Sequence, residues 1–485
     1  MSRFFAVANV LGKMILAFGF TMLAPLCLSL WTNDGARSAF DQAILVTTGA
    51  GLVLWLATRR YRREMQVRDG FLLVVLVWSV LPAFAMLPLL IYLPELSLSM
   101  AYFEAVSGLT ATGGTVLTGL DTLPTSINLW RGQMVWLGGM GLIVLAVAIL
   151  PLLGVGGRQI LKAETPGPMK ENKLTPRIAE TAKGLWLVYV SLTLACVIAY
   201  KLAGMHWFDA VMHAFTTLGL GGFSSHDASY GYWNSPLIEG VAIIFMLIAG
   251  INFATHFLVW RAKSLFSYYR DPEAGLFILI LLTSCLGLAF YLWFVDVYTD
   301  PIAALRYASF NIVSIVTTTG YSNTDYSLWP IFVPLLMLFL SGFCTSSGST
   351  GGGIKMIRAR ILYQQVFREM TTIMHPKAVS PVKLGGSVVS NKIIFAVLVF
   401  LFIYATSIVM MSLVLTLSGL DIVTAFSAAV ACINNLGPGL GQIGPATTYA
   451  SLTDFQTWVC SFAMLLGRLE FFTLLVIFTP AFWRK

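Results

Sequence analysis

The sequence predicts an all-α polytopic membrane protein: about ten transmembrane helices, built as four M1–P–M2 (helix, re-entrant loop, helix) repeats around one pseudo-fourfold pore, plus an N-terminal helix pair. Three observations carry this. Of 485 residues, 57% are hydrophobic and only 11% charged, with a mean hydropathy of +0.81, whereas a soluble surface needs roughly 25% charged residues. Apolar stretches of about 20 residues, the length that crosses a bilayer, recur along the whole chain. A short pattern ending in glycine recurs four times between them.

In chain order, the spans are expected near 4–31, 40–58, 70–93, 132–153, 184–204, 236–260, 274–295, 329–354, 392–418 and 456–482. The first apolar run is too long for a cleaved signal and lacks a small-residue cleavage site, so it reads as a span. The helix pair occupies 1–69, and the repeats occupy 70–157, 158–272, 273–389 and 390–485. Shorter apolar pieces, too short to cross, mark re-entrant loops at 98–117, 206–227, 301–326 and 421–444.

Positive charge sets the orientation. "RRYRREMQVRD" holds five arginines, and 154–183, 261–271 and 355–392 hold six, three and seven basic residues. The alternate loops 94–130, 205–235 and 419–456 hold no Lys or Arg, and 297–329 holds only Arg306. Basic loops face the cytoplasm, so both termini are expected inside. The net charge of +8 is thereby explained by topology and not by nucleic acid. Six cysteines stand singly with no CxxC pair, which gives no support to zinc, iron–sulfur or disulfide frameworks.

The base-poor loops carry "FEAVSGLTATGGT" (103–115), "MHAFTTLGLGGFS" (212–224), "FNIVSIVTTTGYS" (310–322) and "SAAVACINNLGPG" (427–439). Each is a helix-like run, then small polar residues, then Gly113, Gly222, Gly320 or Gly437, separated by 109, 98 and 117 residues. Fourfold recurrence is far more specific than any one glycine. Non-helical backbone at membrane depth must be buried in protein or line water. Four such loops from one side can converge on an axis, each short helix aiming its negative C-terminal end inward. Backbone carbonyls just before each glycine can then replace the water shell of a cation. Because carbonyls do the coordinating, the preceding residues are free to differ (Thr112, Gly221, Thr319, Leu436). Glu95, Asp121, Asp227, Asp325 and Asp454 flank these loops, and acidic mouths concentrate cations.

These units, with "TTLGLGGFSSHDAS", "VTTTGYSNTDYSLWP" and "NNLGPGLG", resemble the Trk/Ktr/HKT superfamily of potassium transport proteins, specifically its bacterial TrkH/TrkG branch, over essentially the whole chain. The resemblance implies a K+/Rb+-selective filter from backbone at 110–113, 219–222, 317–320 and 434–437: Thr110, Ala111, Thr112, Gly113; Leu220, Gly221, Gly222; Thr318, Thr319, Gly320; and Asn434, Asn435, Leu436, Gly437. All four filter glycines are present; serine at the first is associated with sodium permeation. The fourth loop departs most, since Pro438 biases Gly437 away from the α region. The resemblance further implies a homodimer in the bacterial inner membrane and a cytosolic TrkA-like regulatory subunit that binds ATP/ADP and NAD(H). This chain itself is expected to bind no cofactor, K+ being its cargo. A gated channel and a K+/H+ symporter both remain open from sequence; a carrier of a small organic solute would predict inverted halves and an intramembrane acid–base relay, which the repeat does not match.

"SGFCTSSGSTGGGIK" (341–355) superficially suggests a nucleotide-binding P-loop, but Ile354 separates the glycines from Lys355 and Met356 follows it. About a dozen residues, roughly 18 Å of helix, precede Ser341 from the boundary near Trp329. The glycines therefore begin inside the membrane, and the resemblance makes this segment an intramembrane gate: Thr345, Ser346, Ser347, Gly348, Ser349, Thr350, Gly351, Gly352, Gly353 and Lys355. Arg468 sits near the middle of the last expected span, where a charge costs at least about 2.5 kcal/mol and marks function. The resemblance places it on the pore beneath the filter, as the partner of this loop. Asn252, Thr255 and His256 share a face of the sixth span and read as interhelical hydrogen bonders. Glu104, His213 and Asn311 each lie nine residues before their glycine and read as pore-helix braces or packing, with Ala428 at the fourth position. "GGMGLI" (138–143) reads as small-residue helix packing. No HExxH, GxSxG or clustered acid pair is present, so no enzyme is expected.

Overall fold

The structure is a computed structural model and describes residues 2–61, 66–148 and 178–484. The basic segment over 154–177, Arg62 and Arg63, the repeat boundary at 157/158 and the end of the fourth span at 149–153 lie outside the described residues.

Apolar sequence in lipid has to satisfy its backbone internally, and helices do so. Ser2–Thr21 and Leu23–Thr32 run in series, and Arg37–Thr58 returns against them. Asn33 reverses the chain at φ 55°. Small residues let these helices touch: a Cβ built on Gly12 would lie 2.8 Å from the Trp55 nitrogen, and one on Gly51 2.6 Å from the Leu16 nitrogen.

Four units follow. Each starts with a long helix: Val67–Ala85 continued by Leu87–Tyr92, then Ile178–Leu202, Ala274–Phe294 and Asn391–Leu417. A short pore helix comes next: Leu98–Leu109, Trp207–Gly219, Pro301–Val316 and Ile422–Ile433. At 12, 13, 16 and 12 residues, these reach about 18–24 Å, short of a bilayer core of roughly 30 Å. Ser97, Asp300 and Asp421 cap three of them by accepting first-turn N–H bonds.

The helix closing each unit is continuous only in the first, Thr125–Ala148. In the second, Pro236–Gly250 and Phe253–Ala262 meet at 93°; in the fourth, Asp454–Arg468 and Phe472–Phe478 meet at 109°. In the third, the ten-residue helix Phe332–Ser341 gives way to the glycine-rich loop, and Met356–Met374 follows. The continuous spans expected at 236–260 and 456–482 are therefore broken helices, and the span at 329–354 is interrupted at its glycine-rich segment. Asn252 starts a new helix by accepting the Ala254 N–H at 2.9 Å, and Glu470 and Phe471 turn the last one at φ 52° and 54°. Arg468 accordingly ends a helix instead of occupying its middle. Among the described residues, six helices are long and apolar enough to span, or eight with each bent pair counted once.

Among the described residues, the two largest of the core's clusters are lobes. One joins the second and third units; the other joins the N-terminal helices with the first and fourth. Pore helix ends seat on glycines of the closing helices. A Cβ on Gly138 would lie 1.9 Å from the Leu109 oxygen, and one on Gly467 1.9 Å from the Ile433 oxygen. The expectation of small-residue packing at 138–143 thus acquires a specific partner. Gly138→Ala is expected to lose most folded protein on size-exclusion chromatography in detergent. Gly141→Ala, where a Cβ meets nothing within 4 Å among the described residues, is expected to match the parent.

Candidate functional site

All four pore helices end in the same way. The residue two before each glycine is left-handed although none is glycine: Ala111 at φ 54°, Leu220 at 52°, Thr318 at 61° and Asn435 at 53°. Their N–H groups donate to Gly108, Thr217, Ile315 and Cys432 at 2.9–3.2 Å. The next N–H groups, of Thr112, Gly221, Thr319 and Leu436, donate to Ser107, Thr216, Ser314 and Ala431 at 2.8–3.0 Å. This pair of bonds is the Schellman motif. Placing a side chain there costs about 1–2 kcal/mol for an ordinary residue, so the turn is held by its surroundings.

The four glycines then close on one another in order. A Cβ on Gly113 would lie 2.2 Å from the Gly222 nitrogen, and one on Gly222 2.6 Å from the Thr319 oxygen. One on Gly320 would lie 2.3 Å from the Leu436 oxygen, and one on Gly437 2.8 Å from the Thr112 oxygen, which completes the ring. Gly113, Gly320 and Gly437 have φ of 83°, 91° and 99°. Despite Pro438, the fourth quarter follows the first and third; the second departs, since Gly222 is not left-handed. Among the described residues, no hydrogen bond ends on the carbonyls of Ala111, Thr112, Gly113, Leu220, Gly222, Thr318, Thr319, Gly320, Asn435 or Leu436. Gly221 accepts from the Phe223 N–H at 2.9 Å. On one side the ring opens to a vestibule lined by all four units, including Gly113, Gly222, Gly320, Pro438, Arg131, His226, Asp227 and Tyr449.

Side chains join the quarters. Asn435 Nδ2 donates to Thr112 Oγ1 and to the Met464 carbonyl, both at 3.0 Å. Asn434 Nδ2 donates to Ser341 Oγ at 3.1 Å, and its Oδ1 accepts from the Tyr404 hydroxyl at 2.7 Å. Glu104 accepts the Val116 N–H at 2.9 Å, and Asn311 donates to Asn323 Oδ1 at 2.6 Å. His213 pairs with Ser224 Oγ at 3.0 Å and with the Asp209 carbonyl at 2.9 Å. The three residues nine before their glycines therefore hold the segment beyond the glycine. With both ring nitrogens engaged, His213 acts in packing.

Arg131 was not legible as a partner of Glu104. Both are fully buried and their closest atoms are 2.9 Å apart. The guanidinium also reaches Asn128 Oδ1 at 3.1 Å, the Ser224 carbonyl at 2.9 Å and Thr115 Oγ1 at 3.2 Å, 4.4 Å over the Phe223 ring. Arg306 is likewise paired, with Glu239 at 2.6 Å. A lone arginine at the base-poor end of a span was the available signal. Nearer solvent, His226 bridges units by pairing with Asp121, and it lies 3.5 Å from Asp209. Burial disfavours its charge, yet the hydrogen bonds and charges of Asp209 and Asp121 prevail and raise its pKa.

The glycine-rich loop packs under the opposite side of the ring. Thr350 Oγ1 donates to the Leu218 carbonyl at 3.0 Å, and the Gly352 N–H to Thr318 Oγ1 at 2.8 Å. A Cβ on Gly352 would lie 1.9 Å from the Asn434 oxygen. The loop closes on itself through Met356 N–H to Thr345 O at 2.8 Å and Thr345 Oγ1 to Gly352 O at 2.9 Å. Lys355 Nζ donates to the Gly351 carbonyl, and Ser349 Oγ to Ser346 O at 2.6 Å. The Ser346 N–H donates to Gly250 O, and the Phe253 N–H to Gly348 O, both at 3.1 Å, which ties the loop to the break in the second unit. The Ser347 N–H donates to Glu273 Oε2 at 2.9 Å; sequence reading missed Glu273, an acid beside an apolar helix start. Arg468 donates to the Thr350 carbonyl at 3.1 Å and the Gly138 carbonyl at 2.8 Å, and among the described residues its buried Nε has no partner. Glu470 pairs with Arg358. Thr255 and His256 are hydrogen-bonded to Asp271, and to Tyr268 and Ile248.

A helical membrane protein with four re-entrant helix ends closed on one ring is a membrane transport protein in architecture. The chain belongs to the TrkH family of cation transport proteins, whose family model matches residues 36–485. It is 46% identical over 484 residues to the Trk system potassium uptake protein TrkH of Salmonella typhimurium strain LT2, with 100% of both chains covered. It is 37% identical to the Trk system potassium uptake protein TrkG of Escherichia coli K12, covering 99% of this chain and 98% of that one. The crystal structure of the potassium transporter TrkH from Vibrio parahaemolyticus superposes with a TM-score of 0.91 at 44% identity, over 99% of this chain and 100% of that chain. The chain is a transport protein and not an enzyme.

Removing one partner of a buried pair strands the other charge. Glu104→Ala is therefore expected to destabilise the protein by about 3–5 kcal/mol, read as a lower thermal midpoint by tryptophan fluorescence in detergent. For His226, a folded pKa above the ordinary 6.5 means that the charged clamp contributes fully below that value and fades as pH rises through the raised one. The thermal midpoint lost in His226→Gln is expected to be largest at pH 5.5 and to shrink toward pH 9.

Proposed function

We propose that this chain takes up potassium ions across a bacterial inner membrane through a K+/Rb+-selective filter made of the backbone at 110–113, 219–222, 317–320 and 434–437. The observation that carries this reading is the ring of carbonyls, most of which, Thr112, Thr319 and Leu436 among them, have no hydrogen-bond donor among the described residues. Buried backbone acceptors are almost always paired, and Thr112, Thr319 and Leu436 are fully buried. A dehydrated cation supplies what those oxygens lack, and carbonyl rings select among cations by the number and field of the oxygens they offer. The names of the relatives, potassium uptake proteins and a potassium transporter, support K+ as the cargo.

In this reading the vestibule faces outward, where Asp227 in its lining draws cations in, and the basic segments and both termini face the cytoplasm. The glycine-rich loop is the gate. It touches the helix ends at Leu218, Thr318 and Asn434 directly beneath the ring. Arg468 and Lys355 bring two cationic groups to that level, and such charge opposes an arriving K+. A TrkA-like cytosolic subunit holding ATP/ADP and NAD(H) acts on this loop, in a homodimer of the present chain; the word "system" in the relatives' names supports a multi-component assembly.

Flux of 86Rb+ into proteoliposomes with competing Na+ tests the filter. Gly113→Ser is expected to lower the preference for Rb+ at least tenfold, because a Cβ there meets the Gly222 nitrogen at 2.2 Å. Unchanged preference would remove Gly113 from the filter, and no Rb+ uptake with or without a cytosolic subunit and nucleotide would remove the function. Deleting Gly351–Gly353 is expected to raise basal flux several-fold; wild-type flux in that variant would remove the loop from the gate.

A further inference from the structure

In three quarters the residue nine before the glycine braces the chain beyond it; in the fourth the brace comes from the adjacent Ser427, whose Oγ accepts the Leu440 N–H at 2.9 Å. Glu104, His213 and Asn311 hold the chain just beyond their glycines, whereas Ala428 at the corresponding place has nothing to donate or accept. A further residue supports the glycine itself. Tyr449, only 2% exposed, donates its hydroxyl to the Gly437 carbonyl at 2.7 Å. Its N–H donates to the Thr115 carbonyl, two residues past Gly113, at 2.8 Å. Its ring packs 4.9 Å from that of Phe103 on the first pore helix, and a Cβ on Gly114 would touch it at 3.1 Å. One side chain thus spans the seam between the fourth and first quarters. Of the four ring glycines, Gly437 alone has a carbonyl that accepts a hydrogen bond among the described residues.

We propose that Tyr449 is a specificity-determining positioning residue: its hydroxyl fixes the Gly437 carbonyl and weakens the field that this oxygen presents to a permeating cation. The inference rests on the filter reading above. It follows from two properties of the bond. A carbonyl already accepting a hydrogen bond offers less of its lone-pair density to a cation, which penalises a small, strongly polarising Na+ more than a larger K+ or Rb+. The same bond holds the oxygen in place, so that it does not close in on the smaller ion. Removing the donor strengthens the field and frees the oxygen together, and both changes favour Na+. Ser427 braces the chain further on, at Leu440, whereas the Tyr449 hydroxyl is the group that reaches the Gly437 carbonyl itself.

Tyr449→Phe removes the hydroxyl and keeps the ring that packs on Phe103 and Gly114. The probe is 86Rb+ uptake by full-length protein in proteoliposomes, titrated with Na+, to give the ratio of apparent affinities. The expected result is a fall in the Rb+/Na+ ratio of about fivefold, the change that one net hydrogen bond supplies. A residue that merely packs would alter yield or thermal stability and leave this ratio untouched. An unchanged ratio in Tyr449→Phe, with a selective parent, overturns the role of Tyr449 and leaves the filter standing; a parent that does not distinguish the ions overturns the filter itself. Should Tyr449→Phe fail to assemble, site-specific 3-fluorotyrosine at position 449 decides. It keeps the ring and makes the O–H a stronger donor, so a raised ratio supports the proposal and an unmoved one overturns it.

Discussion

Four helices end inside the protein at membrane depth, and every helix end leaves carbonyls without intrahelical donors. In water such groups are solvated at no cost. Here no water-exposed surface is available to most of them, and the chain answers in the same way four times. A left-handed residue turns the backbone, and two N–H groups satisfy the carbonyls of the last turn. The glycine then carries the chain away past its neighbour. What the turn does not satisfy is the next set of carbonyls, and these gather where the four quarters meet. The ring follows from how the helices stop, and the rest of the fold secures that stop.

That security is mostly polar and crosses between units. Asn435 ties the fourth quarter to Thr112 of the first, and Arg131 ties the first closing helix to the chain beyond Gly222. Each such bond is worth only about 1 kcal/mol, but burial makes losing a partner costly, which fixes the register of the quarters. The glycine-rich loop uses the opposite face of the same helix ends. A small loop able to bond at Leu218 and Thr318 and to hold Arg468 and Lys355 nearby connects the ring to the breaks in the closing helices. Movement at those breaks therefore has a short covalent and hydrogen-bonded route to the ring.

Much of this was legible because it repeats. The long apolar runs gave the spans, and the four glycine motifs gave the re-entrant segments and the glycines that meet. Breaks in the closing helices were not legible at 236–260 or 456–482, where hydropathy stays high through a 93° or 109° bend. The decisive details there are a single cap, Asn252, and left-handed turns at non-glycine residues. The same limit hid the true turning residues of the pore helices, since Ala111 and Leu220 carry no compositional mark of positive φ. Partnerships across hundreds of residues, such as Asn435 with Thr112 or Arg468 with Gly138, leave no local signal. Pro438 suggested a distinct fourth quarter, whereas the neighbouring ring imposes the shared conformation and the second quarter is the one that differs.

In the proposed function the unpaired carbonyls hold a dehydrated cation. Anomalous diffraction from crystals of the protein grown in rubidium chloride, recorded at the rubidium edge, tests it without recourse to flux. The account predicts density on the pseudo-fourfold axis at the level of Thr112, Gly221, Thr319 and Leu436, weakened when excess potassium replaces rubidium. Absence of density at that level, or rubidium bound instead at the acidic mouth alone, would contradict it.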